Sequence, residues 1–197
     1  LLKSEEDQFI ETYDQLVKKH DLVIVSDYGH GVITPRIAKH ISETDKFVSL
    51  NAQVNAANIG THNIRKYNDV NCLIINETEL HHEMRQRDGD IDKMAIALKD
   101  IISTKYIAVT QGRHGVFLVN DNKTPIRCPG FATQVIDKIG SGDALLALLS
   151  VCLYSNFDED LSLFIGSLAA GQSVETIGNS KPVSKTKLLK TISHLLK

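Results

Sequence analysis

The stretch QVIDKIGSGDALLALLSVCLY, residues 134–154, ends in a run that is apolar on nearly every side of a helix and begins with two glycines, a serine and an acid. A helix without a polar face is expected to be buried. Its first backbone N–H groups have no partners within the helix and attract negative charge. Gly140, Ser141, Gly142 and Asp143 supply pliant backbone and a carboxylate at that point. Two readings fit these residues: an ordinary helix cap, or a place where an anion sits.

Outward from this stretch, strands and helices alternate. EEDQFIETYDQLVKKH (5–20) has helical periodicity and runs into DLVIVSDYG (21–29), a short apolar strand closed by a glycine turn. TPRIAKHISE (34–43) opens with the Thr-Pro pair of a helix start. KFVSLNA (46–52) is a second strand, and NCLIINETEL (71–80) a third that leads straight into a helix. IDKMAIALKDII (91–102) is amphipathic, KYIAVT (105–110) is a fourth strand, and GVFLVNDNKTPIRCPG (115–130) reads as a hairpin turning at Asp121-Asn122. Two further helices follow the buried one, DLSLFIGSLAAGQSVETI (160–177) and SKTKLLKTISHLLK (184–197), the last with lysines on one face and leucines on the other. No repeat or linker interrupts the chain, so residues 1–197 are expected to form a single domain. The expected class is α/β, with a largely parallel sheet flanked by helices.

Composition narrows the function classes. The 197 residues carry a net charge of −2, with 42% hydrophobic and 23% charged residues. That balance suits a soluble globular protein and gives no electrostatic case for nucleic acid or an anionic membrane. Cys72, Cys128 and Cys152 are odd in number and irregular in spacing, which suits reduced thiols and a cytoplasmic location rather than a disulfide framework or a zinc site. His81-His82 lacks a third ligand at metal-binding spacing and reads as surface.

Ligands of open parallel sheets bind beyond the carboxyl ends of the strands. Asp27, Asn51, Asn76 with Glu79, and Thr110 each follow a strand there. Each is also a good cap or turn former. Asn76 and Glu79, three apart, equally fit a capping box, and Gly112 and Gly115 equally fit the entry turn of a hairpin. GRHG (112–115) lacks the Gly-Lys-Ser/Thr ending of a P-loop.

Three segments in one order, Asn76-Glu77-Thr78-Glu79, Thr110-Gln111-Gly112-Arg113-His114-Gly115 and Asp137-Lys138-Ile139-Gly140-Ser141-Gly142-Asp143, resemble the C-terminal portion of the PfkB/ribokinase-type carbohydrate kinases. The last resembles that family's signature D-T-x-G-A-G-D. SDYGHGVIT (26–34) and the course of the chain look most like the heptose-7-phosphate kinase branch. NAQVNAANIG (51–60) and VETIGNSKPVS (174–184) are similar to sugar-kinase halves joined to nucleotidyltransferases.

The resemblance implies a ribokinase-like fold and transfer of the γ-phosphoryl of ATP to a sugar hydroxyl. It makes Asp143 the catalytic base and the N–H groups of Gly140, Ser141 and Gly142 the anion hole. It places Asn76, Thr110, Gly112, Gly115 and Asn179 at the nucleotide, and Asp27 at a sugar hydroxyl. Glu79 would hold Mg²⁺ through water, while Asp137 and Ile139 would lie at a monovalent cation such as K⁺. The implied partners are ATP or ADP and a sugar or sugar phosphate.

The sequence departs from the family pattern in four places. Lys138-Ile139 stands where Thr-Thr or Thr-x is usual, and Ser141 replaces a common Ala. His30 stands where heptose kinases carry Lys, and Asn51 replaces the aspartate of their D-P-K. The Gly-Gly segment and β-lid of the family's N-terminal portion have no counterpart in these residues. Loss of the first strands would leave a sheet edge that favours self-association, so a homodimer is an expectation. A second reading follows from the same gaps: a non-catalytic nucleotide-binding or dimerisation module of a larger protein.

Overall fold

A computed structural model describes residues 1–53, 64–178 and 180–195. Its elements follow the alternation read from the sequence. They are α1 (Lys3–Val17), β1 (Leu22–Asp27), α2 (Pro35–Ser42), β2 (Phe47–Ala52), β3 (Cys72–Asn76), α3 (Glu77–Met84), α4 (Ile91–Ile101) and β4 (Tyr106–Thr110). After them come β5 (Val116–Val119), β6 (Ile126–Cys128), α5 (Ser141–Tyr154), α6 (Glu159–Ser173) and α7 (Lys185–Leu195). The six strands form one sheet in chain order, β1 to β6.

Two compact units divide the chain, residues 1–109 with 118–125 and residues 110–117 with 126–197. In the first unit, β1 pairs with β2 and β2 with β3, both in parallel. Asp27 lies opposite Ala52, and Asn51 opposite Ile74, so the carboxyl ends of the three strands share one edge. β2, β3 and β4 are buried on both faces, as parallel strands covered by helices are: Leu50, Leu73, Ile74, Ile75 and Ile107 are all buried, whereas Ile24 of β1 is exposed. Ile37, Ile41, Leu80 and Leu98 bring the apolar faces of α2, α3 and α4 into this unit's core. The Thr-Pro start of α2 works as its residues suggest, with the Thr34 hydroxyl accepting from the Ile37 N–H and Pro35 in the first turn.

The second unit is built on α5 packed along α6. Leu145, Leu146, Leu149 and Leu153 of α5 meet a buried face of α6 that includes Leu163, Leu168 and Ala169. Burial of α5 is narrower than its composition suggests. Val151 is 47% exposed and Tyr154 40%, because α5 buries one face only. A 3₁₀ turn at Gly112–His114, before β5, also breaks the plain hairpin entry read from the sequence. The final helix α7 buries Leu188 and holds Lys187 against Glu175.

Candidate active site

At the carboxyl end of β1, Asp27 is only 4% exposed and fully engaged. One carboxylate oxygen accepts from the Gly29 N–H at 2.8 Å. The other accepts from the Tyr67 hydroxyl at 2.9 Å and pairs with the Lys66 ammonium at 2.6 Å. Lys66 also donates to the Ile33 carbonyl at 2.7 Å, so one side chain ties both ends of residues 27–33. Burial alone would raise the Asp27 pKa. The hydrogen bonds from Lys66, Gly29 and Tyr67 outweigh it and hold the carboxyl below its ordinary value. Burial, then the Asp27 charge, push Tyr67 upward, which keeps it a proton donor.

Beyond β2, Asn51 is buried and its amide donates to the Ile74 carbonyl at 2.9 Å. Beyond β3, Asn76 and Glu79 form the capping box: the Glu79 N–H donates to the Asn76 side chain at 2.8 Å, and the Asn76 N–H to the Glu79 carboxylate at 3.0 Å. Both open readings of that pair have to accommodate this cap.

The second unit contains a cavity of about 400 Å³. Thr110, Gly112 and Gly115 from one loop and Ser141 and Gly142 from the start of α5 line it together. These are five of the residues singled out in the sequence, now convergent. Gly115 has φ +92°, and a Cβ there would sit 2.1 Å from the Cys128 carbonyl oxygen, so only glycine lets this loop lie against the segment after β6. The loop is closed by the Gln111 N–H donating to the Gly115 carbonyl at 2.8 Å.

Gly140 caps α5 in the left-handed region at φ +82°, as a glycine turn requires. Gly142 differs: its backbone is helical, and nothing lies within 4 Å of where its Cβ would be. Packing therefore does not demand a glycine at 142. Its absent side chain leaves open space above a first-turn N–H that has no partner among the described residues. Asp143 follows in the same turn, half-buried and outside the cavity lining.

Asp137 acts as a hub. Its oxygens accept from the Ile139 N–H at 3.0 Å and the Gly178 N–H at 2.9 Å, and those bonds hold its carboxyl below the ordinary value. The Ile139 side chain is 66% exposed. Asn179 lies outside the described residues.

Sequence reasoning did not anticipate the cavity's apolar wall: Phe131, Val135, Leu145 and Val174. Its signal was present as apolar residues set into the glycine- and proline-bearing segment CPGFATQV (128–135), where a solvated loop would be polar. Arg113 and Lys138 also line the cavity. Such a lining suits a ligand with a flat apolar part and an anionic part. Among the described residues no group of three His, Cys, Asp or Glu side chains could cage a metal ion.

Comparison with known proteins bears on the family and the fold. Residues 3–186 match the model of the pfkB family carbohydrate kinases. The bifunctional protein HldE of Bradyrhizobium diazoefficiens is 28% identical over 178 residues, covering 89% of this chain and 35% of that protein. HldE of Campylobacter fetus is 28% identical over 181 residues, covering 88% and 38%. The chain thus spans little more than a third of these relatives. Among solved structures, the ribokinase of Arabidopsis thaliana complexed with ribose and ATP superposes with a TM-score of 0.71 at 21% identity, covering 89% of this chain and 57% of that one. Phosphofructokinase-2 of Escherichia coli in complex with potassium gives 0.79 at 14% identity, covering 100% and 64%. These likenesses give the fold as ribokinase-like α/β. No described helix is long and apolar enough to cross a membrane.

Proposed function

The chain belongs to the pfkB family of carbohydrate kinases, and from that premise we propose that it is the nucleotide-binding and phosphoryl-transferring portion of an ATP-dependent sugar kinase. The observation that carries this reading is the convergence of Thr110, Gly112, Gly115, Ser141 and Gly142 on one cavity at the N-terminus of α5. The nucleotide base would lie against the apolar wall, with its phosphates toward the helix start.

In this reading the hydroxyl oxygen of a sugar or sugar phosphate attacks the γ-phosphorus of ATP. The new O–P bond forms as the bond to the β-phosphate oxygen breaks, ADP leaves with that electron pair, and the hydroxyl proton passes to the Asp143 carboxylate. Charge gathering on the transferred group would meet the Gly142 N–H and its neighbours at the positive end of α5. Mg²⁺ would supply charge neutralisation, and Glu79 is the carboxylate that would hold it through water. A monovalent cation beside Asp137 and Ile139 is the companion expectation, supported by a carboxylate kept ionised by two backbone N–H groups. The resemblance of SDYGHGVIT (26–34) to the heptose-7-phosphate kinase branch favours a sugar phosphate as acceptor.

One observation favours the alternative of a non-catalytic nucleotide-binding module. In the first unit the carboxylate of Asp27 and the side chains of Asn76 and Glu79 are engaged in internal hydrogen bonds. Calorimetry of the chain with Mg-ATP and Mg-ADP, beside ADP release with a panel of sugar phosphates, separates the readings. Binding with turnover is expected. Binding without turnover on any acceptor favours the module, and no binding by a folded chain removes both.

A further inference from the structure

The turn between β1 and α2 has no backbone ladder of its own. Among the described residues, no backbone-to-backbone hydrogen bond begins or ends at Gly29, His30, Gly31, Val32 or Ile33. Side chains close the turn instead: the Asp27 carboxylate accepts from the Gly29 N–H, and the Lys66 ammonium donates to the Ile33 carbonyl. Gly29 and Gly31 stand at φ +68° and +84°, so the chain between those closures has wide conformational freedom when it is not held. The base of the staple is rigid by comparison. Lys66 ends a 3₁₀ turn, Ile64–Lys66, whose Ile64 is buried, and the Tyr67 side chain that follows is buried as well. The Tyr67 hydroxyl donates to the same Asp27 oxygen that pairs with Lys66, which fixes the carboxylate from two sides.

The turn so held presents its side chains to solvent. Tyr28 is 47% exposed and Val32 53%, and His30 is exposed between them. The Tyr28 and His30 rings lie 6.4 Å apart, inclined by 32°. The polar residues near the ends of β1 and β2 behave differently: Asp27 and Asn51 are buried and committed to internal hydrogen bonds. Open parallel sheets take ligands beyond this edge. At β1 and β2, then, the turn and not the strand-end residue is what a ligand reaches.

We propose that Lys66, seconded by Tyr67, is a positioning residue for the acceptor, holding residues 28–32 in the one shape in which the Tyr28 and His30 rings meet a sugar phosphate. The proposal rests on the kinase reading given above. Asp27 then acts through the turn and not as a ligand of a sugar hydroxyl. The two rings offer a flat apolar face to the sugar and an imidazole N–H to its oxygens. A turn already in its binding shape spares the acceptor the cost of ordering it, so the staple contributes to acceptor affinity without touching the acceptor.

The test is steady-state ADP release by the whole chain with Mg-ATP and a panel of hexose and heptose phosphates. It compares the wild type, Lys66→Met, Tyr67→Phe, His30→Ala and the double variant Lys66→Met/His30→Ala. Lys66→Met is expected to raise the acceptor KM about tenfold, while kcat and the KM for Mg-ATP stay within about threefold. His30→Ala should raise the acceptor KM with unchanged thermal unfolding, and the double variant should be no worse than Lys66→Met, because a loosened turn no longer presents the ring. Tyr67→Phe keeps the ion pair and carries the test should Lys66→Met not fold. It should raise the acceptor KM about threefold and speed amide hydrogen exchange at residues 28–33 but not at 137–143. A fall in kcat at unchanged acceptor KM would make the staple a matter of folding alone. Unchanged exchange in the turn, an unchanged acceptor KM in His30→Ala, or single effects that simply multiply in the double variant would deny that Lys66 acts through the turn. Each of those outcomes overturns the proposal while the kinase reading stands. A wild-type chain that binds Mg-ATP and turns over no acceptor overturns the kinase reading and this proposal with it.

Discussion

Residues 27–33 and residues 137–143 are both acid-bearing, glycine-containing turns with a lysine in attendance, and the molecule treats them in opposite ways. At Asp27 the carboxylate, Lys66, Tyr67, the Gly29 N–H and the Ile33 carbonyl satisfy one another in a buried cluster. At residues 137–143 the Lys138 ammonium and the Gly142 N–H are exposed beside a cavity and have no partner among the described residues. Buried polar groups are normally paired because leaving them unpaired is costly. The buried Asp27 cluster closes on itself for that reason, whereas the exposed groups at 137–143 are met by water and stay available to the ligand proposed above. The two turns look equally functional as strings of residues, and the count of internal partners tells them apart.

The largest expected effect tests the open turn. Asp143→Asn removes the proposed base, so turnover should fall about 10²–10⁴-fold, the range ascribed to general-base catalysis. Nucleotide affinity should change by no more than about threefold. An ADP-release assay and calorimetry on the same preparation check this, and a parallel loss of binding would deny Asp143 its separate role.

Next in size is the closed cluster. Lys66→Met leaves Asp27 buried without its cation and should cost about 3 kcal/mol, the scale for breaking a buried ion pair. Nucleotide affinity should not follow. Urea unfolding gives the first quantity, and a loss below about 1 kcal/mol would show that water screens the pair.

A pair of glycine substitutions then sets fold against ligand. Gly115→Ala should lose about 2 kcal/mol or more, since its left-handed backbone and the nearby Cys128 carbonyl both resist a Cβ. Gly142→Ala should gain about 0.5 kcal/mol through helix propensity while weakening ATP about tenfold, as a methyl enters the phosphate space. Thermal melts with and without Mg-ATP distinguish the two. A Gly142→Ala variant that binds ATP normally would mean the open space is not used.

The smallest effect is on acid stability. Asp27 has a folded pKa below its ordinary value, so its contribution is present above the unfolded value of about 3.9 and fades as pH falls through the folded one. Tyr67→Phe deletes one of the bonds that lower it, at a cost of about 1.5 kcal/mol near neutrality. With a higher folded pKa, the variant should lose its remaining stability at a less acidic pH. Circular dichroism from pH 6 to 2 checks this, and coincident acid limbs would show that Tyr67 contributes little.

Much of the fold was legible because its signals are local. Alternating apolar runs gave the strands, Thr34-Pro35 gave the start of α2, and Gly140 gave the turn before α5. The cavity residues Thr110, Gly112, Gly115, Ser141 and Gly142 were also visible, through the resemblance of their ordered motifs to the carbohydrate kinases, since each glycine turn alone fits an ordinary cap or hairpin entry equally well. Partner choice was not legible. Nothing in SDYGHG (26–31) announces that Asp27 meets Lys66 and Tyr67 some forty residues on, because such pairings depend on how the strands register. Nor could composition show that α5 keeps Val151 and Tyr154 in water, since burial depends on how many neighbours a helix acquires rather than on its own apolarity.

The staple at Lys66 has an evolutionary consequence. By gripping Asp27 at one end and the Ile33 carbonyl at the other, it turns the intervening segment into a non-covalent ring whose closure does not depend on its tip. His30 and Val32 are exposed there and lie outside the hydrogen bonds that anchor the ring. Variation at those two positions is thereby uncoupled from folding, while Gly31, at φ +84°, holds the turn between them, so the tip is a small cassette on which a new binding preference can be tried without endangering the domain that carries it.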